Sequence, residues 1–235
     1  MFSNITAIYR KELRSYFSSP VAYIVIAMFL FLAGFFFYSA VVQFRMATLD
    51  APFSNLVIIL IFLMPLLSMR LISEEKKSGT LELLLTRPIR EMEIVLGKYF
   101  AAATVFFIML LPTATYGLIL NQIAKPDLYP MLTQYAAVFL VGLAFLAVGL
   151  FASALSENQI VSAVIAFTII LILWLLSWLT SSLGEDNIIS YFAISSHFND
   201  LITGVIDARD VVFYITFIFF WLFVTAKIID SKRWA

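Results

Sequence analysis

Side chains able to do chemistry are scarce in this 235-residue chain, and they are gathered rather than spread. The densest group lies in "SEEKKSGTLELLLTRPIREMEIVLGK", from Ser73 to Lys98. There Glu74, Glu75, Lys76, Lys77, Glu82 and Arg87 surround a run of leucines. Arg10, Lys11, Glu12 and Arg14 form a second group, and His197, Asp207, Arg209 and Asp210 a third. None of them builds a known catalytic constellation. Gly97-Lys98 is followed by Tyr99, and Met92 stands where a phosphate loop needs its first glycine, so that cradle is missing. One histidine cannot build H-E-x-x-H, and no G-x-S-x-G occurs. Cysteine is absent, which removes thiolate nucleophiles, thiolate metal sites and disulfides. His197 reads as a surface or interface residue. The expectation is a chain with no catalytic, cofactor-binding or metal site of its own.

The elements that must position these groups are set by composition. The chain is 63% hydrophobic and 13% charged, with 24 phenylalanines, whereas soluble domains carry about a quarter charged residues. Windows free of Asp, Glu, Lys and Arg run over 15–44, 51–69, 99–124, 128–156, 158–184 and 211–226. A helix needs about 20 apolar residues to cross a hydrocarbon core of ~30 Å. Six transmembrane helices follow, the last completed if Lys227 snorkels to the interface. The first window is too long for a signal peptide and lacks a small-residue cleavage site. Pro65 and Pro112 fall inside the second and third spans and predict kinks there. No ionisable Asp, Glu, Lys or Arg is expected within a span, which argues against proton- or ion-coupled transport.

Six spans put both termini on one side. That side carries Arg10, Lys11, Arg14, Arg70, Lys76, Lys77, Arg87, Arg90, Lys98, Lys227, Lys232 and Arg233, against Arg45, Lys125 and Arg209 opposite. Basic residues favour the cytoplasmic face. The termini and the Ser73–Lys98 island are therefore expected in the cytoplasm.

Between spans and termini three segments stand out. Residues 2–18 place Ile5, Ile8, Tyr9, Leu13, Tyr16 and Phe17 on one side of a helical wheel and Arg10, Lys11 and Arg14 on the other. That pattern suits a helix in the membrane interface. Glu12 is its misfit: it either bends to a Lys or Arg at headgroup level or forms a buried ion pair with another helix end. In the island, Ser73 is expected to cap a turn bearing Glu74 and Glu75. Gly79 interrupts, Thr80 caps a second short helix, and Arg87-Pro88 ends it. Its leucines span too wide an arc for a solvated helix, so some face the bundle and others are free for a partner. The segment 180–210 repeats apolar residues at Phe198, Leu201, Ile202, Val205 and Ile206, one helix face. One or two short helices on or in the outer leaflet are expected, as a cap over the bundle or as a gate.

Here a resemblance becomes visible. "RLISEEKKSGTLELLLTRPIREMEIVLGKY" resembles the signature segment of ABC-2-type permeases, the membrane subunits of ATP-binding-cassette transporters. "YRKELRSYFSSPVAY" is similar to the amphipathic connecting helix of that family, and "SSHFNDLITGVIDARDVVFY" to its gliding-motility branch. The resemblance covers essentially the whole chain as a single transmembrane domain, 1–235. It implies an all-α polytopic fold in a bacterial inner membrane, with an interfacial helix at 2–18, a cytoplasmic coupling segment at 70–90 and external re-entrant helices within 180–210. It further implies a second permease subunit, in a homo- or heterodimer, and two copies of a separate ATPase subunit that binds the ATP and Mg. Membrane lipids and an envelope or periplasmic accessory protein are further implied contacts, and no nucleic acid is. Glu74, Glu75, Thr80, Leu81, Glu82, Leu84, Leu85, Arg87 and Pro88 become candidates for ATPase coupling. Arg10, Lys11, Glu12 and Arg14 belong to the interfacial helix. His197, Phe198, Asp207, Arg209 and Asp210 are candidates for an external gate or docking surface. Two activities fit: export of a substrate, or relay of ATP energy to an envelope partner without a pore.

Overall fold

The computed structural model describes residues 2–43, 48–85, 89–123, 127–181, 193–205 and 207–231, and among them there is no strand. The chain starts with α1 (Phe2–Ser18) and turns directly into α2 (Pro20–Tyr38). Pro20 occupies the first turn, where its missing N–H is harmless, and the Ser19 hydroxyl accepts from the Val21 amide. A π-helical turn, Ser39–Gln43, extends α2. Then come α3 (Asp50–Ser68), α4 (Arg70–Lys77) and α5 (Thr80–Leu85), followed by α6 (Glu91–Leu110), a 3-10 turn at Leu111–Thr113 and α7 (Ala114–Ile123). The chain continues through α8 (Leu128–Leu155), α9 (Gln159–Ser181), α10 (Ile194–Ile202) and α11 (Ala208–Ser231). Among the described residues six stretches are long and apolar enough to cross a membrane: Pro20–Gln43, Asp50–Lys77, Glu91–Ile123, Leu128–Leu155, Gln159–Leu176 and Ala208–Ser231.

The second, third and sixth spans extend beyond their charge-free windows. The third helix begins at Glu91 rather than Tyr99, so Lys98 is carried inside it with a side chain only 1% exposed. The expectation of spans without ionisable groups fails at this point. Of the two prolines, Pro112 changes the form of its helix, whereas Pro65 lies inside continuous α3. At Pro112 the helix tightens to 3-10, and the Thr113 carbonyl accepts from Tyr135 Oη at 2.5 Å. A backbone group freed by a kink must find such a partner in hydrocarbon. Pro65 lies one turn before the break at Met69 that separates α3 from α4.

The fourth span, α8, is the axis of the bundle, the most buried of the six. Small residues let its neighbours approach. A Cβ on Gly142 would fall 2.1 Å from Phe106, and one on Gly149 would fall 1.9 Å from Ser68 Oγ. Ser68 is itself held by donation to the Met64 carbonyl at 2.8 Å, so it cannot simply swing away. Gly149→Val should therefore cost about 1–3 kcal/mol of stability or more through overpacking. Thermal unfolding in detergent would check this, with an unchanged midpoint counting against the close α3–α8 contact. The first, fifth and sixth spans are largely exposed, presenting residues such as Phe31, Val164 and Phe219 outward. These faces are left for lipid or another subunit.

At the end of the bundle opposite α4, α10 packs inward. Ile194, His197, Phe198, Leu201 and Ile202 are buried. Residues 182–192 lie outside the described residues, so one short helix of the expected segment is seen. Its apolar face is shorter than the sequence pattern: α10 stops at Ile202, Gly204 takes φ +95°, and Val205 beyond it is 60% exposed. Ile206 lies outside the described residues. The Gln134 side chain donates to the Asp50 carboxylate and to the Ile202 carbonyl at 3.3 Å, tying α8 to α3 and α10.

Candidate functional site at the junction of α1, α4 and α6

Gly79 adopts φ +69°, a left-handed conformation that suits glycine, and this folds α4 back into α5. The two short helices form a water-facing lever. Glu74, Lys77 and Glu82 are exposed, whereas Leu81 is 4% exposed and Leu84 packs half-buried on the core. The side chain of Leu85 and the whole of Arg87 and Pro88 lie outside the described residues. Thr80 opens α5, and its hydroxyl donates to the Glu75 carbonyl at 3.3 Å. Ser73 does not cap a turn. The helix already starts at Arg70, and Ser73 lies inside it, donating to the Met69 carbonyl.

What supports the start of α4 comes instead from α8. Ser153 Oγ accepts from the amides of Ile72 at 2.9 Å and Ser73 at 3.0 Å and donates to the Met69 carbonyl at 2.9 Å. One hydroxyl thus satisfies the interrupted backbone between span and lever. Lys76 donates to the Ala154 carbonyl at the C-terminal end of α8, where carbonyls lack helical partners. The lever is therefore clipped to the bundle axis at both ends of α4.

The charges of α1 complete the junction. Its inward stripe is Ile8, Glu12 and Tyr16, spaced by four residues. Ile8 lies where a Cβ on Gly97 of α6 would come within 2.8 Å, so α1 lies flush on that helix. Glu12, 8% exposed, then meets Lys98: Nζ to Oε1 is 2.9 Å. Of the two readings of Glu12, the buried ion pair with another helix end is the one found. Lys98 Nζ also donates to the Leu71 carbonyl at 2.6 Å and stands 2.9 Å from Glu75 Oε2 of α4. The last contact is ionic and lacks hydrogen-bond alignment. The outer oxygen of Glu75 accepts from Lys11 Nζ at 2.5 Å, and Lys11 stands 3.8 Å from Glu12. Partial burial pulls the Lys11 ammonium down, but its hydrogen bond to Glu75 and the charges of Glu75 and Glu12 outweigh that and hold it above the usual lysine range.

Two ammonium groups and two carboxylates thus cancel on three helices. A buried charge is tolerated only when paired in this way. Beside them Tyr16 Oη donates to the Leu67 carbonyl at 2.8 Å, and the Arg70 guanidinium lies 5.0 Å over the Tyr16 ring while donating to the Ser15 carbonyl at 2.9 Å. Glu75 is consequently committed to the interior of the junction, unlike exposed Glu74 and Glu82. Arg10 and Arg14 remain on the exposed side of α1. Sequence reasoning counted Lys98 only among the basic residues of the cytoplasmic side. The signal that could have found it was Glu12, an acid on an apolar stripe that requires a cation at the mouth of a neighbouring span.

The groups at the opposite end are also placed differently from expectation. His197 is not a surface residue: it is 6% exposed, its Nδ1 stands 2.6 Å from Asp210 Oδ1, and its ring stacks on Phe213 at 4.0 Å. Asp207 and Arg209 stay exposed, with the Asp207 carboxylate accepting from the Arg209 amide at 2.9 Å to start α11. Tyr214 donates to the Ile194 carbonyl at 3.0 Å, and Ser195 to that of Trp174 at 2.8 Å. His197, Phe198 and Asp210 are thus packed inside the end of the bundle formed by α10 and the start of α11. Among the described residues no group of three His, Asp or Glu side chains has metal-site geometry.

A bundle of six apolar spans with a charged lever clipped to one end defines a polytopic α-helical membrane protein. Residues 6–226 match the family described as ABC-2 family transporter protein, and the chain belongs to that family. It is thus a membrane permease of an ABC transporter, a component that works with an ABC ATPase subunit. No curated protein matches the chain significantly.

Proposed function

We propose that the chain is a non-catalytic permease subunit that pairs with a second permease and exports a substrate using ATP bound with Mg by two separate ATPase subunits. The observation that carries the reading is the lever. It exposes Glu74, Lys77 and Glu82 to a partner while Glu75 and Ser153 fasten its other side to α1, α6 and α8. On this reading α4 and α5 act as a coupling helix pair. A push on the exposed face reaches span three through Lys98 and span four through Ser153, without any group that must ionise or turn over.

The clustering of basic residues supports placing the lever and both termini in the cytoplasm of a bacterial inner membrane. The chain has no cysteine, so single-cysteine labelling tests this cleanly. Ser78→Cys, in the exposed turn of the lever, should react only from the cytoplasm, and Asp200→Cys, exposed on α10, only from outside. Labelling of both from one face would overturn the six-span topology. The segment Ser195–Tyr214 supports the gliding-motility branch of the family.

The rival is a mechanotransmitter that relays ATP hydrolysis to an envelope partner docked near α10. The exposed Asp200, Asp207 and Arg209, beside buried His197 and Asp210, would offer such a partner a surface. Purified complex in liposomes distinguishes the two: hydrolysis stimulated by a candidate substrate alone supports export, and stimulation only by an envelope protein supports relay.

A further inference from the structure

A cavity of about 450 Å³ opens where the start of α6 meets the last turns of α11, lined by Arg90, Glu91, Met92, Phe223, Ala226, Lys227 and Asp230. Its volume lies in the range of small-molecule sites. It takes no part in the lever or its ion cluster. The lining is graded along the membrane normal. Arg90 precedes the first turn of α6, and Lys227 and Asp230 occupy the last turns of α11, at the depth where a span meets headgroups. Phe223, one helical turn before Lys227 on α11, and Ala226 supply an apolar wall, which Met92 extends from α6. Such a site is polar at the rim and greasy at the floor.

We propose that this cavity is a binding site for one phospholipid carrying a zwitterionic headgroup with a primary amine, phosphatidylethanolamine. The argument is charge complementarity. The rim offers two cations, Arg90 and Lys227, and two anions, Glu91 and Asp230, so it is balanced and disfavours a purely anionic headgroup. Arg90 and Lys227 suit a phosphodiester, guanidinium especially, through paired N–H donors. Asp230 suits an ammonium that still carries N–H groups, which a quaternary amine lacks. The existing partner of Lys227 is weak competition: its contact with Asp230 is 3.8 Å long, with side chains 64% and 40% exposed. Lys227 Nζ stands 5.9 Å from the Phe223 ring, placing the cation directly above the apolar wall. An acyl chain leaving along Phe223 explains why a lipid fits better than a soluble phosphate compound. The site requires only that the bundle span a membrane, whichever face is cytoplasmic and whatever is transported.

The test uses the full chain purified in detergent. Equimolar phosphatidylethanolamine, phosphatidylcholine and phosphatidylglycerol with identical acyl chains are added, and bound lipid is counted by native mass spectrometry. Phosphatidylethanolamine should be retained preferentially. Arg90→Gln with Lys227→Gln removes both cations and should reduce retention of all three lipids by more than the roughly tenfold expected for loss of one charge-assisted contact. Asp230→Asn should abolish the preference over phosphatidylcholine while leaving phosphate-dependent retention. Glycerophosphoethanolamine, which has the headgroup without acyl chains, should not displace the lipid at equal concentration. Preference for phosphatidylglycerol, equal retention by the Arg90→Gln/Lys227→Gln variant, or displacement by the soluble headgroup would each overturn the proposal. Because these side chains line a rim and not the core, circular dichroism of the variants should match the parent.

Discussion

Replacing Lys98 by methionine is expected to lower stability by about 3–5 kcal/mol, the cost of leaving a buried pair without its partner. The substitution keeps the volume of the side chain but strands Glu12, whose remaining cation is Lys11 at 3.8 Å, and removes the inner contact of Glu75. It also leaves the Leu71 carbonyl without the donor it has at 2.6 Å. Glu12→Ala should fall in the same range, because it strands part of the Lys98 charge. Combining Lys98→Met with Glu12→Gln and Glu75→Gln should recover most of the loss, since neutral groups no longer need a cation. Thermal midpoints in one detergent and salt condition would show the pattern. If Lys98→Met melts with the parent, the group is hydrated and the junction is not held by charge.

The second large effect concerns the outer face of the lever. Glu82→Lys with Leu84→Ala should weaken ATPase binding by about 2–4 kcal/mol if the pair sits at an interface hot spot, a loss of about thirtyfold to a thousandfold. Glu82 is exposed and Leu84 is only half-buried, so the bundle itself should remain folded. Co-purification with the ATPase subunit reads the binding, and gel filtration of the permease alone reads the fold. Full recovery of ATPase with the double variant would remove α5 from the interface.

The spans were legible in the sequence because hydrocarbon imposes one requirement on every residue of a crossing helix, and charge-free windows report it directly. The irregularity at Pro112 and the break at Gly79 were legible for a similar reason, since these residues act on their own backbone. Side-chain partners between helices were not. The depth of Lys98 depends on α1 and α4 arriving beside α6, and nothing within residues 91–110 encodes that. His197 was read as a surface or interface residue because one histidine builds no metal motif, yet Phe213 and Asp210, a dozen or so positions on, enclose it. Ser73 looked like a cap from its position before two glutamates, but Ser153, eighty residues away, supplies that oxygen. Glu75 shows the same limit within the lever. It reads as one of four solvated charges in a row, and only the fold turns it inward toward Lys98 while Glu74 stays in water. The coupling residues therefore divide into an outer set that sequence patterning suggests and an inner set that only packing defines.

The most direct test of the account measures ATPase stimulation by the Glu12→Gln, Glu75→Gln, Lys98→Met variant reconstituted in liposomes with its ATPase subunit. None of these side chains belongs to the exposed face of the lever, so the variant should bind the ATPase as tightly as the parent. With the ionic tie between lever, interfacial helix and span three removed, the permease-dependent increase in hydrolysis should be lost or strongly reduced. Full stimulation by a folded, ATPase-bound variant would contradict the claim that motion passes through the Lys98 junction.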